Sequence, residues 1–234
     1  MRLADRVAVF GGTGLVGGHL VELLAHHHPD TRIRVPIRRP VDRWDARPSV
    51  EGVRVDFDAL PQSVERWSAA VVFLCLGTTI RDAGSEAAFR RVDLEYTVEA
   101  ARLAAASGAR TALLVSSVGA DADSSFFYPR IKGEAEAAVA ALPFETVHLL
   151  RPSLLLGDRR ETRLKETLAG WALRLLRPVL VGPLRKQRPI EARWVARAMM
   201  HLAEDPGSGR FVHEAPAIRE LGRPPHGEDV AGRS

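Results

Sequence analysis

Val7-Ala8-Val9-Phe10-Gly11-Gly12-Thr13-Gly14-Leu15-Val16-Gly17 joins a short apolar run to a glycine-rich turn and the start of a helix. Val7–Phe10 reads as a buried strand. Gly14–His27 has helical spacing, with Leu15, Leu20, Leu23 and Leu24 apolar. Between them Gly11, Gly14 and Gly17 recur every third residue, and Gly12-x-Gly14-x-x-Gly17 overlaps them. A dinucleotide site needs glycine here for three reasons. One allows the tight turn, one lets the backbone approach a pyrophosphate, and one lets the helix pack closely on the strand. The helix N-terminus then presents free N–H groups and a positive dipole end to the phosphates. The candidate residues of this turn are Gly11, Thr13, Gly14, Leu15, Val16 and Gly17.

Outward from this turn, apolar runs and helical segments alternate. Ile33–Ile37, Val53–Phe57, Val71–Leu76, Thr111–Ser116 and Thr146–Leu150 read as strands two to six. Val71–Leu76 is apolar throughout, as a parallel strand covered on both faces should be. Glu86–Ala106 is an Ala-rich helix ended by Ser107-Gly108, and Phe127–Ala141 is a helix with Pro129 in its first turn. Alternating strands and helices with right-handed crossovers predict a doubly wound parallel α/β sheet of the Rossmann type. After Arg151 the pattern loosens. Leu164–Leu176 and Ala192–Ala203 read as helices, and Phe211–Glu214 as a final strand. We therefore expect one domain over residues 1–221. Residues 151–205 form a small C-terminal helical segment over the substrate pocket, and the polar tail Gly222–Ser234 is expected to be disordered.

Composition narrows the class. The chain has 234 residues, 46% of them hydrophobic and 26% charged, which suffices for a core without staples. Its one cysteine, Cys75, excludes an internal disulfide and reads as a core thiol. No targeting segment and no membrane-length apolar run is visible, so a cytoplasmic location is expected. The net charge of +4 is uneven. From Arg151 to Arg197 there are twelve Arg or Lys against four Asp or Glu. That excess is expected to serve the cofactor and a polar or anionic substrate. Nucleic acid is not expected as a partner, because no stacking-aromatic array accompanies the charge. The sequence carries no readable oligomer signal.

An NAD site usually places an acidic residue roughly 20 residues after the glycines. Here Arg38-Arg39 follows strand two. Paired guanidinium groups suit a ribose 2′-phosphate and cannot accept a hydrogen bond from a 2′-hydroxyl. NADP is therefore the expected cofactor, with NAD as the alternative.

Tyr128-Pro129-Arg130-Ile131-Lys132 sets a tyrosine and a lysine four residues apart, on one helix face. With two tyrosines and three lysines in the chain, chance placement of such a pair is about 3%. A lysine beside a tyrosine favours the phenolate, so Tyr128 suits proton exchange with a carbonyl or alcohol oxygen. Lys132 also suits a nicotinamide ribose. Val115-Ser116-Ser117 closes strand five, whose C-terminal end should face the ligand crevice. Ser117 is the candidate substrate-oxygen donor and Ser116 its alternative.

These residues together resemble the short-chain dehydrogenase/reductase superfamily in its extended or atypical branch. The resemblance is closer still to the Tat-interacting-protein oxidoreductase family. It rests on Gly11–Gly17, Cys75-Leu76-Gly77-Thr78-Thr79, Phe89-Arg90-Arg91-Val92-Asp93, Leu114–Asp121, Tyr128-x-x-x-Lys132-Gly133-Glu134 and Arg151-Pro152-Ser153-Leu154-Leu155-Leu156. It implies that Leu76 and Gly77 lie beside the adenosine end, that Leu155 nears the nicotinamide, and that Arg163 reaches a cofactor phosphate. One position departs: where the superfamily often carries an Asn before strand five, this chain has Asp93.

His26-His27-His28 points in several directions on a helix and has no partner cluster, so no metal is expected. Leu173–Arg177 with Trp171 reads as a pocket-covering helix rather than a membrane-surface one. The expected function is an NADP(H)-dependent oxidoreductase acting on a small carbonyl or alcohol. The alternatives are a dinucleotide-binding regulator without turnover and an epimerase or dehydratase, for which the segment after Arg151 leaves little room.

Overall fold

In the computed structural model, residues 3–60, 67–157 and 188–224 are described. The chain runs β1 (Arg6–Phe10), α1 (Leu15–His27), β2 (Arg32–Ile37), β3 (Val50–Arg54), a 3₁₀ turn (Phe57–Ala59), β4 (Val71–Leu74), α2 (Ile80–Ala83) and α3 (Glu86–Arg90). A π-helical stretch (Arg91–Tyr96) leads into α4 (Thr97–Ala106), β5 (Thr111–Val115), α5 (Phe127–Ala140) and β6 (Thr146–Arg151). Next come β7 (Leu155–Leu156), β8 (Ile190–Glu191), α6 (Ala192–Glu204), β9 (Gly209–Glu214) and α7 (Ala215–Gly222).

Seven strands form one sheet in the order β3-β2-β1-β4-β5-β6-β9, every pairing parallel. The order reverses between β1 and β4, so the loops leaving these two strands open a crevice there. Successive side chains of β1 serve opposite faces, as the period-2 pleat requires. Val7 and Val9 join the core under α1, α6 and α7. Ala8 and Phe10 join the core under α4 and α5. This two-sided burial is why the strand reads as a continuous apolar run. A smaller cluster of Phe89, Leu94, Val98, Ile131 and Ala135 fastens the π-helical region to α5.

Several boundaries move. Strand three lies at Val50–Arg54 rather than Val53–Phe57, with Ile33 opposite Val50. Asp56 then caps the 3₁₀ turn, accepting from the Asp58 amide at 3.0 Å. Strand four stops at Leu74, and Cys75–Gly77 runs on as loop above the sheet. Glu86–Ala106 is helical but not uniformly α, and its expected stop holds. Gly108, at φ 90°, lets the Ala109 amide reach the Ala104 carbonyl and its own amide reach Ala105. Residues 192–204, placed in the pocket segment by sequence, instead pack α6 into the core beside α1. Leu164–Leu176, Leu173–Arg177 and Trp171 lie outside the described residues. Gly222, expected to begin the tail, ends α7; a Cβ there would stand 2.0 Å from the Trp194 carbonyl oxygen.

The histidines are structural contacts. His28 Nε2 lies 2.8 Å from Glu204 Oε1 and ties α1 to α6. At the β6–β9 edge, His148 Nε2–H donates to the Pro206 carbonyl at 3.0 Å. This leaves its Nδ1 to accept from His213 Nε2–H, also at 3.0 Å. Among the described residues no helix is long and apolar enough to cross a membrane.

Candidate active site

The turn after β1 has the geometry its glycines require. Gly11 adopts φ 81°, and a Cβ on it would stand 2.4 Å from the Cys75 carbonyl oxygen. A Cβ on Gly17 would stand 2.3 Å from the Gly11 carbonyl oxygen. The Gly14 amide donates to that same carbonyl at 2.9 Å. The turn is therefore closed on itself, and α1 starts directly above it at Leu15. No acidic side chain occupies the first turn of α1, and Gly14 caps it without a side-chain bond. This leaves a cradle for an anion at the first helix of the sheet.

Arg38 and Arg39 follow β2 directly and are exposed. Neither forms a hydrogen bond or ion pair with a described residue. Sequence reading missed a third arginine nearby. Arg43 lies 5.7 Å over the Trp44 ring, 3.8 Å from Glu22, and against Gly18 of α1, where a Cβ would be 3.0 Å from Nη1. Its approach depends on the loop after β2 folding back onto α1, which no local pattern announces.

The second half of the crevice lies at the ends of β4, β5 and β6. Lys132 is buried on α5, with Nζ 2.5 Å from Asp93 Oδ1. The other Asp93 oxygen accepts from the Thr78 amide at 2.9 Å. Asp93 sits in the π-helical stretch, a local widening of the ladder of the kind frequent at functional sites. One carboxylate thus joins the loop after β4 to the catalytic-candidate helix. A Cβ on Gly77 would stand 3.5 Å from Asp93 Oδ1 and 4.0 Å from Lys132 Nζ. Gly77 therefore lies against this pair.

Ser116 and Ser117 are both buried at the end of β5, and neither hydroxyl has a hydrogen-bond partner among the described residues. The backbone fixes them: the Ser116 amide donates to Leu150 at 2.8 Å and the Val118 amide to Pro152 at 2.9 Å. Tyr128 stands in the first turn of α5, 38% exposed, its ring 5.5 Å from that of Phe89. Tyr128, Lys132 and Glu136 follow at intervals of four on this helix. Glu136 binds Arg151 through two hydrogen bonds of 3.0 and 2.6 Å, which hold the Arg151 guanidinium pKa above its usual value. The first arginine of the basic segment is therefore committed to anchoring α5 on β6. Burial pushes the Cys75 thiol up to about 12, so it is no nucleophile at neutral pH.

Leu155 packs partly buried on the core, in a two-strand ladder with Ile190. Gly157 crosses the start of α1, where a Cβ would be 2.6 Å from Leu15 Cδ1. The segment after β6 thus passes over the glycine turn. Arg163 lies outside the described residues. Among the described residues no cluster of His, Cys, Asp and Glu could hold a metal.

Glycines that admit no Cβ, buried hydroxyls without partners and a buried Lys–Asp contact all meet along one crevice. The fold and site define an NAD(P)-binding Rossmann protein of the short-chain dehydrogenase/reductase superfamily. Residues 7–211 match the model of the NAD dependent epimerase/dehydratase family, and the chain belongs to that family. Protein HTATIP2 of Rattus norvegicus is 34% identical over 229 residues, spanning 93% of this chain and 89% of that protein. The mitochondrial protein FMP52 of Debaryomyces hansenii is 33% identical over 213 residues, spanning 87% and 91%. Among solved structures, human SDR39U1 with NADPH superposes at TM-score 0.59 and 20% identity, covering 90% of this chain and 74% of that one. MoeE5 with UDP-glucose and NAD superposes at TM-score 0.65 and 19% identity, covering 88% and 74%. The resemblance to the atypical branch beside HTATIP2 therefore holds.

The cytoplasmic expectation does not hold. The fungal FMP52 relatives, similar over most of the chain, are named mitochondrial. A single thiol and short apolar runs do not distinguish one reducing compartment from another, so the sequence could not discriminate.

Proposed function

We propose that the chain is an NADP(H)-dependent oxidoreductase that interconverts a small carbonyl compound and its alcohol. The observation that carries this reading is the pair of buried, unpartnered serine hydroxyls at the end of β5, the strand that precedes the helix bearing Tyr128 and the Lys132–Asp93 contact. Buried hydroxyls without partners are costly, and a ligand oxygen would satisfy them. Gly11, Thr13, Gly14, Leu15, Val16 and Gly17 hold the pyrophosphate in this reading, and Arg38 and Arg39 hold the adenosine 2′-phosphate. Leu76 and Gly77 lie beside the adenosine end, and Lys132 and Leu155 flank the nicotinamide ribose and ring. Arg163 is assigned a cofactor phosphate from the resemblance alone.

When bound, the reduced nicotinamide supplies a hydride. The carbonyl carbon gains that hydride and its oxygen gains a proton from the Tyr128 hydroxyl, so the π bond becomes one C–H and one O–H bond. Ser117, with Ser116 as the alternative, donates to the carbonyl oxygen and sets its place. Lys132 holds its charge beside the ribose under Asp93. The partner is a small molecule, and neither nucleic acid nor stable membrane insertion enters this reading.

A second reading, a dinucleotide-binding regulator without turnover, is favoured by one observation. Asp93 already balances the Lys132 charge, so the pair could serve to bind rather than to react. Calorimetric titration with NADPH and NADH, followed by turnover assays on aldehydes and alcohols, separates the two. Tight NADPH binding without turnover on any of them would sustain the regulator. Turnover with NADPH sustains the oxidoreductase.

A further inference from the structure

Six large hydrophobic side chains are exposed among the described residues: Ile80, Phe126, Tyr128, Leu154, Phe211 and Val212. Phe211 and Val212 lie on the edge strand β9. The other four follow the C-terminal ends of three adjacent strands. Ile80 comes after β4, Phe126 and Tyr128 after β5, and Leu154 after β6. They therefore rim the same end of the sheet as Ser116, Ser117 and Lys132. Phe126 is the most open, at 74% exposed, two residues before Tyr128. Exposed apolar side chains at one end of a sheet can serve a surface that meets apolar matter.

Below this rim the site is polar but nearly charge-balanced. The Ser116 and Ser117 hydroxyls lack partners, while Lys132 faces Asp93 at 2.5 Å. The arginines flanking α5 are engaged elsewhere. Arg90 binds Glu134 at 2.9 Å, and Arg130 binds the Ser124 and Ser125 carbonyls at 3.2 and 3.3 Å. Among the described residues, a substrate with a charged body would need counter-charges that these groups have already committed; most of the basic segment expected to serve an anionic substrate lies outside them. A substrate with one oxygen and a hydrocarbon body suits both layers.

Resting on the oxidoreductase reading above, we infer that the substrate is an apolar carbonyl compound, a straight-chain or aryl aldehyde or ketone. Its oxygen lies toward Ser117 and Tyr128, and its hydrocarbon body lies against Phe126, Leu154 and Ile80. The carbonyl carbon accepts the hydride and its oxygen the Tyr128 proton, with both electrons drawn from the reduced nicotinamide.

The test uses the full chain. Straight-chain aldehydes from propanal to decanal are compared for kcat/KM with NADPH, and the matching alcohols for Kd by calorimetry with NADP present. Each added methylene should improve both by roughly threefold to fourfold until the chain outgrows the rim. Phe126→Ser and Leu154→Ser, at exposed positions where folding is not at stake, should each cut that gain to below about twofold. Measurable turnover with a flat chain-length response, or an undiminished gain in both variants, overturns the substrate class and leaves the oxidoreductase reading standing. So does better turnover of charged sugars than of every aldehyde. A flat series with vesicle sedimentation that Phe126→Ser abolishes would assign the rim to a lipid surface and overturn the proposal. Alcohol binding that strengthens with length but no turnover would keep the apolar site and remove the oxidoreductase reading. Neither binding nor turnover, with NADPH bound, would remove both.

Discussion

At the glycine turn the chain does its work by leaving side chains out, whereas at the ends of β4 and β5 it buries charged and hydroxyl side chains. Gly11 and Gly17 have no room for even a Cβ, and the cradle they form is backbone alone. Asp93, Lys132, Ser116 and Ser117 are all buried, and their placement depends on contacts between segments far apart in sequence. The first region tolerates almost no change of residue, and it meets its distant neighbour at Cys75 through backbone alone. The second admits isosteric exchanges and depends on every partner being present.

The sharpest way to break this comparison is at the reacting group. Tyr128→Phe should lower turnover by roughly 10²- to 10⁴-fold while NADPH affinity stays largely intact, because the glycine turn is untouched. Rates and binding measured on one preparation decide it; full turnover in the variant would remove Tyr128 from the mechanism. Next in size is the buried pair. Asp93→Ala leaves Lys132 without its counter-charge and should cost about 3–5 kcal/mol of stability. Chemical denaturation reads this directly, and Asp93→Asn, which keeps the size and a bond to the Thr78 amide, should lose less. Equal stability of all three proteins would show that the interior does not rely on the contact.

A smaller effect is expected at the exposed arginines. A charge-assisted contact contributes about 1.5–3 kcal/mol, so Arg38→Ala and Arg39→Ala should each weaken NADPH by about one to two decades and leave NADH nearly unchanged. The wild type should prefer NADPH at least about tenfold by the same arithmetic. Equal affinities in the wild type would mean that these side chains point to solvent.

The mildest expectation lies away from the crevice. Burial and the neighbouring His213 hold the His148 pKa down to about 4, and burial lowers that of His213. In the unfolded chain both titrate near 6.5. As pH falls below about 6.5 the unfolded chain takes up protons that the folded one refuses, so this stabilisation is whole above that pH and fades toward about 4. Melting temperature should drop by several degrees from about pH 7 to about pH 5, and less in His148→Phe. Identical pH profiles for the two proteins would dismiss the pair as a source of acid sensitivity.

The same contrast explains what could be read beforehand. The glycine turn was legible because a missing Cβ is written in the residue type, and the parallel sheet followed from buried apolar runs alternating with helices. Tyr128 and Lys132 were legible because helical spacing alone brings them to one face. The Lys132–Asp93 and Glu136–Arg151 contacts were not, since each joins segments whose approach only the folded sheet decides. The Arg43 approach to α1 was hidden for the same reason. The lean of the loop at Gly77 was hidden likewise, because it follows the Asp93 carboxylate holding Thr78. The end of strand three slipped because an edge strand with exposed positions has a weaker apolar signature than a central one.

Gly133 adds a consequence of a different sort. A Cβ there would stand 2.1 Å from the Ala122 nitrogen and 2.2 Å from the Asp121 carbonyl carbon. The helix bearing Tyr128 and Lys132 therefore rests bare against the loop that leaves Ser117, bonded there through the Asp121 amide and the Pro129 carbonyl at 3.0 Å. Nothing adjustable lies between the two walls. The gap in which a substrate oxygen would sit is gauged by peptide against peptide, and side-chain motion has little hold on it. The residue that sets this width has no side chain to bring to the chemistry, and it acts as a spacer of no thickness.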